Sequence, residues 1–122
     1  LPRFIKDEFD ACRSRRRPAR ERGRALYHPC LGQLDLARGD CHDAHAGWRL
    51  GGSPIPQAHP TGYPICRLEW RGLGSLQRRL RACLSGVRAE PLAWGAAEWI
   101  ERKLFLAWRA CGMPMESPAV RP

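Results

Sequence analysis

Hydrophobic and polar positions follow a helical period most clearly in residues 75–86. Ser75 is a good N-cap because its side-chain oxygen can accept a hydrogen bond from a backbone N–H of the first turn, and Gly86 suits the position after the last turn. One apolar stripe follows the segment: Leu73, Leu76, Leu80, Cys83, Leu84 and Val87. The spacing predicts an amphipathic helix with arginines on its opposite side.

A second helix is predicted at residues 91–111. Pro91 suits its first position, and Gly112 and Pro114 close its end. The segment is apolar almost all round, and its narrow polar strip consists of Glu98, Arg102 and Arg109. A helix of this kind is either central to a core or covers a partner. We expect central burial, with a homodimer through residues 91–111 as the alternative.

The N-terminal segment predicts a third helix, over residues 3–17. Its apolar residues recur at the spacing of one helix face: Phe4, Ile5, Phe9 and Cys12. Pro18 is expected to end or kink this helix, because proline lacks a backbone N–H and clashes with the preceding turn. We treat residues 3–25 together as a basic helix or arm.

Residues 38–64 show no such period. They are rich in glycine, proline and histidine, which predicts an irregular loop with room for a short hairpin. A chain of 122 residues is long enough for one domain with a real core. The fold class predicted is therefore mainly α, a single domain over residues 1–122 in which three principal helices pack around a Leu/Trp core and a long Gly/Pro/His-rich loop lies at the centre of the chain.

The charge of the chain suggests a polyanionic partner. There are 21 basic and 12 acidic residues, a net charge of +9, and every basic residue except Lys6 and Lys103 is arginine. Guanidinium groups form bidentate hydrogen bonds with phosphate and stack on bases. A GC-rich coding sequence would also favour arginine, but it would not explain why the positive charge clusters.

Two stretches carry most of that charge. The first contains Arg13, Arg15, Arg16, Arg17, Arg20, Arg22 and Arg24, and the second contains Arg67, Arg71, Arg78, Arg79, Arg81 and Arg88. We take them as candidate nucleic-acid-binding surfaces, with Trp48, Tyr63 and Trp70 available for base stacking. The alternatives are a solvated helix face and a surface that docks on an acidic protein.

Six cysteines are spread along the chain, at positions 12, 30, 41, 66, 83 and 111, and no two have the Cys-x-x-Cys spacing. Buried free thiols in a cytoplasmic protein are the interpretation we favour, and a secreted, disulfide-bonded protein is the alternative. No signal-peptide pattern or membrane-length apolar run is visible, so we expect a cytoplasmic protein with no membrane partner. The start at Leu1 suits a fragment, a processed product or a domain of a longer protein.

Histidines and cysteines gather before and within the central loop. Neutral imidazole and thiolate are good zinc ligands, and four of them can close a tetrahedral site. The candidate zinc set is Cys30, Cys41, His45 and Cys66, with His28 as the alternative to Cys30. The other interpretations are that the histidines lie on a surface loop, or that Cys41 and His59 form a nucleophile pair.

Three pieces of the middle third carry a pattern of their own. They are Cys41-His42-Asp43-Ala44-His45, then His59-Pro60, then the run from Tyr63 to Gly72. This pattern resembles the HNH or treble-clef nucleases of phages. The resemblance implies that His45 is a general base that activates water, with His42 or Asp43 near a metal. Glu69 and Trp70 stand where that family has a second pair of histidines.

The function favoured by the sequence is a basic, non-enzymatic nucleic-acid-binding protein of a phage or mobile element. One alternative is a zinc-dependent HNH-like nuclease or toxin domain whose catalytic residues are His45 and Asp43. The other is a protein-interaction module or inhibitor that docks on an acidic partner. No glycine-rich nucleotide-binding motif occurs, so nucleotide-cofactor chemistry has no support.

Overall fold

A computed structural model describes residues 17–116 and 119–122 of the chain. In chain order the elements are α1 (Arg17–Ala25), a π-helical turn (Asp40–Ala44), β1 (Arg49–Leu50), β2 (Ser53–Pro54), β3 (Ile65–Arg67), β4 (Gly72–Gly74), α2 (Leu76–Gly86), α3 (Ala97–Arg109) and β5 (Ala119–Arg121). None of the helices in these two ranges is long and apolar enough to cross a membrane. The helix predicted over residues 3–17 lies outside the described residues, apart from Arg17.

Helix α1 contains the proline that was expected to interrupt a helix. Pro18 lies in the first turn of α1. Backbone N–H groups there have no intrahelical partner, so the missing N–H of proline costs little. The arginine-rich segment that follows is therefore helical, and it buries its single glycine, Gly23, against α3.

The contact between α1 and α3 brings the two backbones together. A Cβ atom added at Gly23 would lie 1.9 Å from the Glu101 carbonyl oxygen and 2.9 Å from the Cβ of Phe105. Beside this contact, Arg22 Nε donates to Glu101 Oε1 over 2.5 Å. Only a residue without a side chain allows the helices to approach so closely.

Helix α2 confirms the prediction for residues 75–86. The Ser75 side chain accepts a hydrogen bond from the Arg78 N–H over 3.2 Å, and Leu80 and Leu84 are buried. The core to which they belong is aromatic and aliphatic: Tyr27, Leu80, Leu84, Trp99, Phe105 and Leu106. Residues from α2, α3 and the segment after α1 thus share one core.

Helix α3 begins at Ala97, so the prediction that a helix starts at Pro91 is wrong. Residues 91–96 are held in a non-helical path because Trp99 Nε1 donates to the Ala93 carbonyl over 2.9 Å. The predicted polar strip is also wrong in part, since Arg102 is only 5% exposed while Ile100 is 53% exposed.

The fold class predicted from the sequence is wrong, because the chain combines its helices with two small sheets. The central loop over residues 38–64 contains the π-helical turn and an antiparallel hairpin that pairs Arg49 with Pro54. The second sheet has the order β4-β3-β5, in which β3 is antiparallel to β4 and parallel to β5. No alternation of apolar and polar residues predicts this second sheet, because its strands have three residues each.

Replacing Gly23 with alanine should lower the free energy of unfolding by about 1–3 kcal/mol, because the new methyl group would overlap the Glu101 carbonyl. Gly86→Ala is the matched control: nothing lies within 4 Å of an added Cβ there. That change should raise stability by about 0.5–1 kcal/mol through the better helix propensity of alanine. Urea unfolding at equilibrium measures both, and equal effects of the two substitutions would contradict the close crossing.

Candidate functional site

Three elements meet at the carboxylate of Asp43, in the π-helical turn. Its Oδ1 accepts a hydrogen bond from the Tyr27 hydroxyl over 3.0 Å and from Arg109 Nη2 over 2.7 Å. The Arg109 guanidinium also lies 4.8 Å from the centroid of the Tyr27 ring. The segment after α1, the π-helical turn and the end of α3 are therefore joined by one polar network.

This network keeps Asp43 charged and Tyr27 protonated. Burial alone would raise the pKa of Asp43, but the hydrogen bonds from Arg109 and Tyr27 outweigh it, so the pKa lies below its usual value. Burial, together with the hydrogen bond to Asp43, raises the pKa of Tyr27 to about 12. Asp43 thus serves as an anchor that holds the turn against α3.

The two histidines of the turn have separate backbone partners. His42 Nδ1 lies 2.7 Å from the Pro56 carbonyl oxygen, and His45 Nδ1 lies 2.6 Å from that of Asp40. A carbonyl oxygen only accepts, so Nδ1 donates in each case and Nε2 is the unprotonated nitrogen of the neutral ring. Burial lowers the pKa of His42, which favours its neutral form.

The predicted zinc ligands do not form a site. In residues 17–116 and 119–122, no group of three or more histidine, cysteine or acidic side chains is placed to hold a metal ion. Cys30 is exposed, and Cys41, Cys66 and Cys83 are half-buried free thiols. The burial predicted for the thiols is therefore wrong for Cys30. Cys111 is disulfide-bonded, contrary to the expectation of free thiols throughout.

In α1, arginines of the first predicted nucleic-acid surface pair with the chain's own carboxylates. Arg20 and Arg24 contact Glu21, and Arg22 contacts Glu101. Arg13, Arg15 and Arg16 lie outside the described residues.

The second surface is also engaged within the fold. Arg67 and Arg78 enclose the Trp70 ring, with guanidinium carbons 5.2 and 4.4 Å from its centroid. Arg67 Nε also donates to the Pro122 carbonyl over 2.7 Å. Arg81 donates to the Leu92 carbonyl over 3.4 Å and lies 5.1 Å from the Trp94 ring. Packing on tryptophans therefore occupies guanidinium groups that were assigned to phosphate.

The arrangement of helices matches a solved structure. A chain in the crystal structure of SoxXA from P. pantotrophus superposes with a TM-score of 0.82 and 30% sequence identity, over 86% of this chain and 40% of that chain. The fold is thus the cytochrome c-like fold of SoxA.

The homologues of this chain are SoxA proteins, subunits of L-cysteine S-thiosulfotransferase. SoxA of Rhodovulum sulfidophilum is 33% identical over 83% of this chain, and that of Pseudaminobacter salicylatoxidans is 33% identical over the same share. SoxA of Paracoccus pantotrophus is 30% identical over 85% of the chain. The chain spans 35–36% of the length of these relatives. No family model matches it.

These relatives correct the functional predictions. The resemblance to HNH nucleases is wrong, and so are the nucleic-acid-binding, nuclease and inhibitor functions inferred from the charge and the histidines. The predicted nucleic-acid partner and the homodimer through residues 91–111 are not supported either. The physical reason for the latter is that Trp99, Leu104, Phe105 and Leu106 face the chain's own core.

The zinc prediction is also wrong, because the SoxA homologues are c-type cytochromes that carry haem. A c-type haem is attached at Cys-x-x-Cys-His. Here the corresponding run is Arg38-Gly39-Asp40-Cys41-His42, which keeps the second cysteine and the histidine but has arginine in the first position. Arg38 Nη2 donates to the Leu80 carbonyl over 3.3 Å. The residues present therefore do not fit a haem held by two thioether bonds.

The sequence contained a signal for this partial motif. The zinc prediction uses Cys41, and the resemblance to HNH nucleases places His42 near a metal, although these two adjacent residues also end the haem-attachment pattern. The hydrogen bond from His42 Nδ1 to Pro56 fixes that ring and leaves Nε2 unprotonated. Arg38 is the residue that distinguishes the two interpretations.

If Arg38 blocks covalent attachment, the chain produced in a host that matures c-type cytochromes should carry no haem after denaturing electrophoresis. Arg38→Cys completes the motif and should give a haem-stained band. Arg49→Cys, which adds a thiol on an exposed hairpin, should not. A stained wild-type band would show that one thioether position is enough.

Replacing Asp43 with asparagine should lower the free energy of unfolding at pH 7 by about 1–2 kcal/mol, because two charge-assisted hydrogen bonds weaken. The figure allows for solvent screening, since the Asp43 side chain is 42% exposed. The pKa of Asp43 is lowered by folding, so its contribution is complete above the unfolded-state value of about 3.9 and is lost as the pH falls through the folded-state value.

Urea unfolding at pH 7 and near pH 2.5 tests the role of Asp43. The difference between wild type and Asp43→Asn should shrink in acid. Asp35→Asn, at an exposed carboxylate without a hydrogen-bond partner in the described residues, should change stability little at either pH. A difference that stays constant with pH would contradict the charged network.

Proposed function

We propose that this chain is a domain of a SoxA-type subunit and that it contributes structure and contacts for assembly with a SoxX partner. The observation that supports this most directly is the combination of a TM-score of 0.82 with 30% identity to a chain of SoxXA. An agreement in both backbone and sequence points to a shared role in the subunit, beyond the fold alone.

The proposed role is structural because of what the candidate site contains. Arg38 occupies the position of the first attachment cysteine, and its guanidinium is directed to Leu80. Asp43, Tyr27 and Arg109 form an anchor, which fixes the turn that carries Cys41 and His42. In this proposal the domain supplies a rigid body to the subunit. The thiosulfotransferase activity is named for relatives that are much longer, and this chain spans 35–36% of their length.

Affinity copurification tests the assembly. The chain, with a tag, is coexpressed with SoxX from Paracoccus pantotrophus, and the tagged region of Paracoccus SoxA that aligns with it serves as the positive control. We expect SoxX to be retained by both. Retention by the Paracoccus region alone would overturn the proposed partner. The cytoplasmic location and the single domain stay predictions from the sequence.

A further inference from the structure

Arg102 of α3 is a buried cation that forms no ion pair with a carboxylate of the described residues. Its side chain is 5% exposed, and its Nε and Nη1 atoms are fully buried without a hydrogen-bond partner. No ion pair in the described part of the chain involves it. Guanidinium is always charged at neutral pH, and a buried charge without a partner is among the most costly features that a fold can hold.

A second guanidinium adds to this positive charge. Arg38 is near enough for its charge, after the effect of burial, to lower the pKa of Arg102, and Arg38 Nε is itself buried without a partner. Glu98, one turn earlier on α3, opposes that effect but makes no ion pair with Arg102. The charge of Arg38 therefore adds to the positive potential at Arg102, and an anion beside Arg102 would offset it.

Arg102 also lines a cavity. The cavity has a volume of about 400 Å³ and opens to solvent, and the apolar part of its wall is formed mainly by Leu31, Leu84 and Leu92. Leu84 is buried in the core, and the other two pack against that core. The cavity thus combines an apolar wall with a buried cation, the pattern expected of a site for a small amphipathic ligand.

The wall opposite α3 is held in place by backbone contacts. A Cβ at Gly32 would lie 2.2 Å from the Val87 carbonyl oxygen, and Gly32 has a φ of +72°. The next residues bond to the same segment, as Gln33 N–H donates to the Arg88 carbonyl over 3.3 Å. The entrance is polar, with exposed Gln33, Arg88 and Glu90. A fixed wall means that the cavity is a formed site rather than a gap between mobile loops.

We propose that this cavity binds a small organic anion, with a carboxylate against Arg102 and a short aliphatic part against the leucines. The cavity is larger than an inorganic oxyanion requires, and its apolar wall favours an aliphatic part of the ligand in the remaining space. The exposed residues at the entrance carry both signs of charge, Arg88 and Glu90, so selection for an anion rests on Arg102 inside the cavity.

Calorimetry and thermal unfolding with sodium butyrate test the site, with 1-butanol as the uncharged analogue and sodium sulfate as the inorganic anion. We expect saturable binding of butyrate and a rise in Tm, a smaller effect of sulfate at the same ionic strength, and none of butanol. Stabilisation by sulfate but not by butyrate would overturn the proposal, and so would the absence of butyrate binding.

Arg102→Met removes the charge and keeps the length of the side chain. Without ligand this variant should have a higher Tm than wild type, because an unneutralised buried charge is gone, and it should bind butyrate at least tenfold more weakly. A purely structural arginine would instead give a lower Tm. Arg49→Met removes an exposed arginine of the hairpin and should leave butyrate binding unchanged. Equal butyrate affinity of Arg102→Met and wild type would exclude Arg102 as the ligand's partner.

A measurement on the wild-type chain covers the case in which Arg102→Met fails to fold. In a ¹⁵N spectrum of arginine Nε–H groups, butyrate should shift the signal of a buried, slowly exchanging arginine in a saturable manner. Shifts confined to exposed arginines would overturn the proposal.

Discussion

The close approach of α1 to α3 at Gly23 determines where the candidate site lies. Because the α1 backbone packs against the Glu101 carbonyl, Phe105, one turn further along α3, lies next to Tyr27. The centroids of the two rings are 5.2 Å apart. Tyr27 then reaches Asp43 through its hydroxyl, and Asp43 holds the turn that carries Cys41 and His42. A side chain at Gly23 would separate the helices and so displace each later contact.

Local signals predicted the fold well only where local interactions decide it. Ser75 caps α2 through its own hydroxyl, so the sequence was sufficient to place that helix. The start of α3 depends on Trp99 Nε1 bonding the Ala93 carbonyl, a contact that forms after the chain has folded. Strands β3 and β5 have three residues each and come from distant parts of the sequence, so neither shows a measurable alternation.

The predicted function was wrong because it assumed that arginines clustered in the sequence are exposed at the surface. The net charge of +9 is real, but its clustering in the sequence does not show where the guanidinium groups end. In the described residues, many guanidinium groups form ion pairs with glutamates or pack on tryptophan rings. These partners are Glu21, Glu69, Glu101, Glu116, Trp70 and Trp94. Arginine suits both uses, because the same planar group binds phosphate, carboxylate and aromatic rings. Only the comparison with relatives distinguishes phosphate binding from the use of these arginines within the fold.

The central histidines show a related ambiguity. Cysteine and histidine occur both among zinc ligands and in the haem-attachment motif, so Cys41 and His42 alone do not distinguish the two interpretations. The residue three positions before Cys41 distinguishes them. That residue is Arg38, which has a buried Nε atom and an electrostatic effect on Arg102. A thiol there would be a small apolar group, whereas a guanidinium needs several acceptors. Arginine at this position therefore places a cation in the interior of the domain, and no carboxylate of the described residues forms an ion pair with it. The proposed anion site rests on Arg102, because Arg102 lines the cavity and Arg38 adds to the positive charge that acts on it.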